Sequence, residues 1–471
     1  MEKKYIWDKF SADDKIAVEK TAAKYKECIS ACKTERECIR RAVSMAEAAG
    51  FRNINSVIEQ GGKIGAGDKV YAVYNEKTMA LFNIGTDPIE DGMNILGAHV
   101  DSPRIDVKQN PLYENTGFAY FDTHYYGGIK KYQWVTIPLA IHGVVVKRDG
   151  TKVDICIGED PDEPVFTITD VLPHLGAPQM EKPAPKIIEG ENLDLLIGSE
   201  PCTDSGKADS RDEKEAVSAN ILRALNDKYG IEEEDFISAE LEIIPAGKAR
   251  DLGFDRSMIL GYGQDDRICA FTSLFAMLET ESVKRTACCL LVDKEEIGSV
   301  GASGMQSRFF ENKTAEVLAL MGYHDAISVR RTLANSTMLS SDVSAGFDPL
   351  YADVFEGKNA AYLGKGVVFN KYTGKAGKVG SSDANPEFIA AIRNILDRNN
   401  VSFHTAELGK VDIGGGGTIA FIMANLGMEV IDCGLPILCM HAPMEVSSKA
   451  DIYEAVRAYK VFLAEMTGIT R

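Results

Sequence analysis

The sequence predicts an α/β fold in which one domain is interrupted by a β-rich insert. Continuous apolar runs such as ACCLLVD at 287–293 are typical of strands buried on both faces of a parallel sheet, and helical patterns surround them. From about 105 to 175 the chain is instead rich in aromatic and β-branched residues, with turn signals such as Asp149-Gly150 and no long helical pattern. A chain of 471 residues also exceeds one ordinary hydrophobic core. We therefore place the α/β domain at 1–104 and 245–471, and the insert at 105–244.

The elements before the insert follow from local patterns. Apolar residues at helical spacing predict a helix over 11–31. A second helix is predicted to begin at Thr34, because Glu37 lies three residues later and completes a capping box. Three strands are then predicted at about 69–74 (KVYAVY), 78–84 (TMALFNI) and 93–98 (MNILGA).

The later elements alternate between helix and strand. Residues 179–215 are polar and contain several prolines, which predicts a loop or mobile linker. EVLALM at 316–321 is a short continuous apolar run and is predicted as a buried strand. Other predicted elements are a helix around 216–229, strands around 239–244, 428–432 and 436–440, and a helix at 450–466.

Composition excludes several classes of protein. The net charge of −18 makes nucleic acid a poor partner, because phosphate binding needs clustered Lys and Arg. We find no apolar run of the ~18 residues that a membrane span needs, and the N-terminus carries charge where a signal peptide would be apolar. A cytoplasmic location is therefore expected. The ten cysteines include no C-x-x-C pair, and Cys288 and Cys289 are expected to be reduced core residues.

Five short stretches place His, Asp or Glu at or just beyond the end of a predicted strand. In open α/β sheets, ligand sites form beyond the carboxyl ends of the strands. The chain has only seven histidines, so a well-placed histidine is more informative than one of its many carboxylates. The stretches are GAHVDSPR (97–104), GQDDR (263–267), DKEEIGS (293–299), SSDVSAG (340–346) and CMHAPME (439–445).

Each stretch alone also has a plain structural interpretation. His99 fits a metal ligand oriented by Asp101, but an ordinary surface loop would look the same. Adjacent Glu295 and Glu296 have like charges after a buried strand, which is costly unless a positive charge lies nearby. They fit one metal ligand beside one free base. The plain interpretation is a charged turn. GQDDR fits a helix start, SSDVSAG a turn or helix cap, and His441 a hydrogen-bonded core histidine.

Other motifs carry less information. The run Gly414–Gly417 lacks the Lys-Ser/Thr of a phosphate-binding P-loop. It fits either a close backbone approach to a ligand or a flexible turn. The sequence contains no G-x-S-x-G motif, the nucleophile elbow of one class of serine hydrolases. It contains no H-E-x-x-H motif either, which excludes a one-metal protease built on a single helix.

Taken together and in this order, the five stretches resemble the M18 metallopeptidases, the family of aspartyl aminopeptidase and vacuolar aminopeptidase I. The similarity covers most of the chain. It implies a catalytic α/β/α zinc-peptidase domain interrupted by a β-rich dimerisation domain. It also implies a metal-dependent aminopeptidase that hydrolyses the N-terminal residue of peptides, using a water activated by two metal ions and a general base. The ions are expected to be Zn2+, with Mn2+ or Co2+ as alternatives, because imidazole and carboxylate ligands suit all three.

The resemblance also assigns roles to individual residues. One metal is held by His99, Asp265 and Asp342, and the other by Asp265, Glu296 and His441, so that Asp265 bridges them. Asp101 orients His99, and Glu295 is the general base. Substrate-binding roles fall on His174, Lys371 and Gly416.

Assembly enters through His174, which lies in VLPHLG within the insert. The resemblance implies that this side chain contacts substrate in a neighbouring subunit, while the plain interpretation is a loop histidine beside Pro173. The expected assembly is a homo-oligomer of dimers that form a dodecamer. Peptides with a free N-terminus are the expected partners.

Two departures indicate a bacterial branch and leave open whether acidic or neutral N-terminal residues are preferred. The presumed bridging aspartate is followed by Asp266 and Arg267 rather than Asn, and the segment 370–388 is long and rich in glycine.

Two rival functions are a metal-free pair of carboxylates that hydrolyses glycosides, and an inactive scaffold or peptide-binding protein. The first gives His99 and His441 no role, and the presence of all presumed ligands disfavours the second.

Overall fold

The computed structural model describes residues 5–202, 215–374 and 376–469. The chain divides into two compact units. The first unit contains Met1–Ser102, Ala249–Met440 and Glu445–Arg471. The second contains Pro103–Lys248 and, although they lie far along the chain, the four residues His441–Met444.

The fold is of the mixed α/β class. Within the described residues the helices are α1 (Ala12–Ala31), α2 (Glu35–Ala48), α3 (Ile54–Glu59), α4 (Ala177–Met180), α5 (Ala216–Tyr229), α6 (Gln264–Glu279), α7 (Phe309–Leu320), α8 (Ala326–Ala334), α9 (Pro386–Arg398), α10 (Ala420–Ala424) and α11 (Lys449–Glu465). The strands are β1 (Arg52–Asn53), β2 (Lys69–Tyr74), β3 (Thr78–Asn83), β4 (Asn94–His99), β5 (Arg104–Asn115), β6 (Phe118–Tyr126), β7 (Leu139–Val146), β8 (Lys152–Ile157), β9 (Leu195–Gly198), β10 (Ala239–Pro245), β11 (Arg250–Leu252), β12 (Met258–Gly261), β13 (Ala287–Val292), β14 (Thr337–Ser340), β15 (Ser344–Ala345), β16 (Val367–Asn370), β17 (Phe403–Thr405), β18 (Glu429–Gly434), β19 (Pro436–Leu438) and β20 (Glu445–Ser448).

The first unit is built on a large mixed sheet with the strand order β1-β2-β3-β13-β4-β14-β18-β16-β17. Its central strands β13, β4, β14 and β18 run parallel, so their carboxyl ends meet at one edge. A smaller sheet in the same unit has the order β11-β12-β20-β19-β15. The predicted α/β class is confirmed for this unit.

Both faces of the large sheet are buried, which explains why its central strands read as continuous apolar runs. Successive residues of a strand point to opposite faces. Cys288 therefore packs into the hydrophobic cluster on one face with α7 and α8, while Cys289 packs into the cluster on the other face with α6 and α11. Both thiols are fully buried, as the sequence predicts.

One predicted strand is wrong. EVLALM at 316–321 belongs almost entirely to helix α7, whose buried residues include Phe310, Thr314, Val317 and Leu318. Successive members of this set are four, three and one residues apart, as expected for residues on one face of a helix. A short apolar run does not distinguish a buried strand from a buried helix, and here packing against the sheet selects the helix.

The second unit is an antiparallel sheet with the strand order β8-β7-β10-β5-β6-β9. Its helix α5 begins and ends where the sequence predicts. The segment 179–215, predicted as a loop or linker, also contains strand β9, which pairs with β6 and forms one edge of the sheet. Part of that segment, 203–214, lies outside the described residues. The role of this unit in dimerisation stays a prediction.

None of the helices in the described ranges is long and apolar enough to cross a membrane.

The capping box at the start of α2 is confirmed. The Thr34 hydroxyl accepts a hydrogen bond from the Glu37 backbone N–H at 3.2 Å, and the Glu37 carboxylate accepts one from the Thr34 N–H at 3.0 Å. Each bond satisfies a donor that the first turn of a helix leaves without an intrahelical partner.

We predict that Thr34→Ala lowers the stability of the first unit by about 1 kcal/mol, because it removes the acceptor for the Glu37 N–H. The measurement is the thermal unfolding midpoint at fixed protein and metal concentrations. Thr34→Ser is the matched control, since it keeps the hydroxyl and should stay close to wild type. Equal midpoints for the alanine variant and wild type would show that the cap does not contribute.

Candidate metal centre

Three parallel strands bring the predicted residues to one edge of the large sheet. β4 lies between β13 and β14, and the register pairs Val292 with His99 and Ser340 with Gly97. The three strands thus end side by side. The segments that follow them carry the acidic residues of three of the predicted stretches, so this edge collects groups that are distant in the chain.

His99 occupies the centre of the cluster. It is 2% exposed, its Nε2 lies 3.4 Å from Asp265 Oδ1, and its Nδ1 lies 3.3 Å from Asp101 Oδ1 and 3.0 Å from the Asp101 carbonyl oxygen. Burial acts to lower the pKa of His99, but hydrogen bonds with Asp101 and Asp265 outweigh it and raise the pKa well above its usual value. One ring nitrogen therefore faces Asp101, and the other faces the cluster.

Asp101 joins two strand ends. Its Oδ1 accepts a hydrogen bond from the Glu295 backbone N–H at 3.1 Å, and its Oδ2 accepts one from the Glu296 N–H at 3.2 Å. The carboxylate is fully buried. It thereby fixes the short 3₁₀ turn that begins at Glu295, directly after Lys294 adopts a left-handed conformation with φ of 68°. The Glu295 carboxylate lies 4.0 Å from His99 Nε2.

Hydrogen bonds with three other residues hold the Asp265-Asp266 pair at the start of α6. Glu445 accepts hydrogen bonds from the backbone N–H groups of Gln264 at 2.6 Å and Asp265 at 3.1 Å. The Ser102 hydroxyl donates to the Asp265 carbonyl at 2.6 Å, and the His99 backbone N–H donates to Asp266 Oδ2 at 3.3 Å. Both aspartates have non-helical torsions, so the regular helix starts after them.

Sequence reasoning assigned no role to Ser102 or Glu445, although both lie inside the predicted stretches GAHVDSPR and CMHAPME. They act by holding the backbone of another stretch. Local sequence carries no signal for such a contact, because the partners are more than 160 residues away in the chain.

In the described part of the chain, two groups of side chains are spaced to hold a metal ion, and they share His99. Within each group the ligand atoms lie within 4.8 Å of one another. The first group is His99, Asp265 and Glu296, and the second is His99, Asp266 and Asp342. Asp266, the next candidate from sequence for the bridging ligand after Asp265, takes in this second group the place that the resemblance gives to Asp265.

The electrostatics of these groups fit a bound cation. Burial raises the pKa of Asp266 well above its usual value. Burial also raises the pKa of Asp342, and the negative charges of Asp266 and Glu295 raise it further. Carboxylates crowded into one buried site repel one another unless a positive charge lies among them. Imidazole and carboxylate donors without a thiolate are a ligand set that catalytic zinc uses.

The remaining predicted site residues lie elsewhere. His441 and His174 belong to the second unit, where His441 Nδ1 donates to the Gly128 carbonyl at 2.8 Å and His174 is exposed in a turn. Lys371 lies in a loop of the first unit and pairs with the Asp383 carboxylate. Gly416 lies in the glycine run of the same unit, two residues before Thr418, whose hydroxyl donates to Asp432 at 2.6 Å.

A buried cluster of imidazole and carboxylates at the carboxyl ends of the parallel central strands of an α/β sheet is typical of a metal-dependent enzyme. The family profile described as aminopeptidase I zinc metalloprotease (M18) matches residues 28–463. The chain belongs to this family, and it is accordingly a metal-dependent aminopeptidase, as the resemblance of the five stretches implies.

Relatives and solved structures agree with this assignment. A probable M18 family aminopeptidase 1 of Clostridium acetobutylicum is 59% identical over 98% of both chains. The crystal structure of aminopeptidase I from the same organism has a TM-score of 0.91 at 56% identity and covers 99% of this chain and 100% of its own. An M18 aminopeptidase structure from Thermotoga maritima has a TM-score of 0.93 at 42% identity, with the same coverage.

We predict that Asp101→Asn lowers both metal affinity and kcat/KM by about 10–100-fold, the usual cost of losing a group that orients a ligand. An amide cannot accept from both the Glu295 and Glu296 N–H groups, because its nitrogen is a donor. Metal retention is measured by chelator titration alongside activity.

The control for this variant is Asp68→Asn, which removes a partly exposed carboxylate that pairs with Arg52 in the same unit. It should change neither quantity. Wild-type metal retention in Asp101→Asn would contradict the orienting role.

Proposed function

We propose that this protein is a two-metal aminopeptidase in which His99, Asp265, Glu296, Asp342 and His441 hold the ions. The observation that supports two ions is that two ligand groups share His99 at one strand edge. Asp265 is proposed to bridge, and Asp266 is the alternative because its carboxylate stands in the second group. His441 enters on the family resemblance. Zn2+ is the expected ion, with Mn2+ or Co2+ as alternatives.

Bound metal would polarise the scissile carbonyl and increase the acidity of the attacking water. Glu295 is proposed as the general base. Its side chain is 17% exposed, its backbone is held by Asp101, and its carboxylate lies at the edge of the cluster, 4.0 Å from His99 Nε2. Glu295 would take a proton from the water and then deliver it to the leaving amine.

Adjacent Glu295 and Glu296 thus have different roles although their sequence context is nearly the same. Glu296 belongs to the ligand group with His99 and Asp265, whereas Glu295 belongs to neither group. This difference in group membership supports the proposed division into one ligand and one base.

We predict that Glu295→Gln lowers kcat by about 10²–10⁴-fold while metal content stays at the wild-type level, because the change removes a proton acceptor and no ligand. Glu296→Gln is the matched variant and should lose metal. Metal is measured by mass spectrometry, and activity is measured with a panel of aminoacyl chromogenic substrates that includes leucyl and aspartyl derivatives.

The same panel of substrates shows whether the enzyme prefers acidic or neutral N-terminal residues. Near-wild-type kcat in Glu295→Gln would refute its role as base. Wild-type metal content in Glu296→Gln would remove it from the ligand set. Hydrolysis of glycosides, or no hydrolysis of any aminoacyl substrate, would favour the rival functions.

For assembly, we infer a cytoplasmic homo-oligomer of dimers that form a dodecamer, with the second unit mediating dimerisation. Large apolar side chains are exposed in the segment that carries His174, namely Leu172 at 49%, Leu175 at 69% and Met180 at 73%, which supports an interaction surface there. A solved S. cerevisiae mApe1 dodecamer has the same fold at 19% identity and a TM-score of 0.75.

In this proposal His174 contacts substrate bound to the neighbouring subunit. We predict that His174→Ala keeps metal content and assembly but raises KM or lowers kcat. Mixed oligomers of His174→Ala and Glu295→Gln subunits should recover part of the activity, since some sites then combine an intact base with an intact histidine.

His124→Ala, which changes another exposed histidine of the second unit, is the control and should stay fully active. A fully active monomer, or no recovery in verified mixed oligomers, would defeat the shared site and leave the metal centre unaffected.

A further inference from the structure

The sheet of the second unit carries a row of polar side chains across neighbouring strands. Strand register places Cys156 of β8 opposite His142 of β7, His142 opposite Glu242 of β10, and Glu242 opposite Asp106 of β5. Directly paired residues point to the same face of a sheet. β8 is an edge strand of this sheet, so the row ends at an accessible cysteine.

The cysteine contacts an imidazole at the edge of that sheet. His142 Nε2 lies 3.5 Å from Cys156 Sγ and 3.3 Å from Glu159 Oε1. His142 is only 3% exposed, whereas Cys156 is exposed. The Tyr229 hydroxyl of α5 donates to the Cys156 carbonyl at 3.2 Å and steadies the strand at this point. The base is thus held in the sheet, and the thiol faces solvent.

The arrangement has the parts of an activated nucleophile, namely a thiol, a base within reach of it and a third group beside the base. A proton that passes from Cys156 Sγ to His142 Nε2 comes to lie next to the Glu159 carboxylate. The carboxylate then stabilises the imidazolium. Glu242, opposite His142 in the register, pairs with Arg104 at 3.3 Å, so Glu159 is the carboxylate that serves the imidazole here.

The other nine cysteines provide a comparison for the exposure of Cys156. All ten cysteines are described and none of them is in a disulfide; seven are buried and Cys202 is partly buried. Cys439 is the other exposed thiol. It lies in the first unit and serves as an internal reference for accessibility alone.

We propose that Cys156 is a reversible thiol-modification site that reacts with small disulfides, with His142 as its base and Glu159 stabilising the resulting cation. Cys156 Sγ forms a bond to one sulfur of the disulfide as its proton passes to His142. The disulfide bond breaks, and the departing sulfur leaves as a thiolate and takes up the proton from His142. The products are a mixed disulfide on Cys156 and one small thiol, so atoms and electrons balance.

The test is a time course of the metal-loaded protein with oxidised glutathione, read by peptide-mapping mass spectrometry at every cysteine. We expect Cys156 to be modified about tenfold faster than Cys439 and faster than a cysteine in an unstructured peptide, as expected for assistance by a positioned base. Dithiothreitol should reverse the modification. His142→Gln should reduce the rate at Cys156 about tenfold and leave Cys439 unchanged. The control His324→Gln, which changes an exposed histidine of the first unit, should change neither rate.

Equal rates at Cys156 and Cys439 in the wild-type protein would overturn the proposal without any variant. An unchanged rate at Cys156 in a folded His142→Gln protein, verified by its thermal midpoint, would also overturn it. Because the readout is modification of a thiol in the second unit, the result does not depend on the proposed peptidase mechanism.

Discussion

The buried carboxylate of Asp101 is the constraint on which the metal centre depends. It follows β4 by two residues, yet it accepts hydrogen bonds from the first two backbone N–H groups of the turn after β13 and also contacts His99. One side chain thus sets the imidazole orientation and the direction of two glutamates. A carboxylate can do this because both of its oxygens are acceptors. The parallel register of β4 and β13 brings the two strand ends together, and Asp101 converts that proximity into a fixed geometry.

The same site is electrostatically costly without a cation. Asp265, Asp266 and Asp342 lie close to one another near His99, and burial raises the pKa of Asp266 and Asp342 well above their usual values. Removing carboxylates from water costs several kcal/mol per charge unless they are paired. The two hydrophobic clusters on the faces of the sheet supply the stability that holds this arrangement in place. Metal binding at such a site is coupled to the protonation of its ligands.

Much of the secondary structure of the first unit could be predicted because the sequence patterns that specify it are local. The capping box of α2 needs only Thr34 and Glu37, which are three residues apart, and β2 matches KVYAVY because its pattern is complete within six residues. The prediction failed at 316–321, where burial makes a helix as apolar as a strand. For the site, the predicted stretches contain every residue of the two ligand groups. The contacts of Ser102 and Glu445 with Asp265 and Gln264, however, join segments far apart in the chain.

The sequence by itself determined the class of fold, the family and the residue types that reach the sheet edge. These follow from periodicity and from motifs, each of which fits within about ten residues of chain. The tertiary structure decided which carboxylates share a group, placing Asp266 with Asp342 and Glu296 with Asp265 around His99. It also aligned Cys156 with His142 across two strands. Distances of a few ångströms between side chains depend on strand register and backbone torsions set by packing of the whole unit, and no local pattern specifies them.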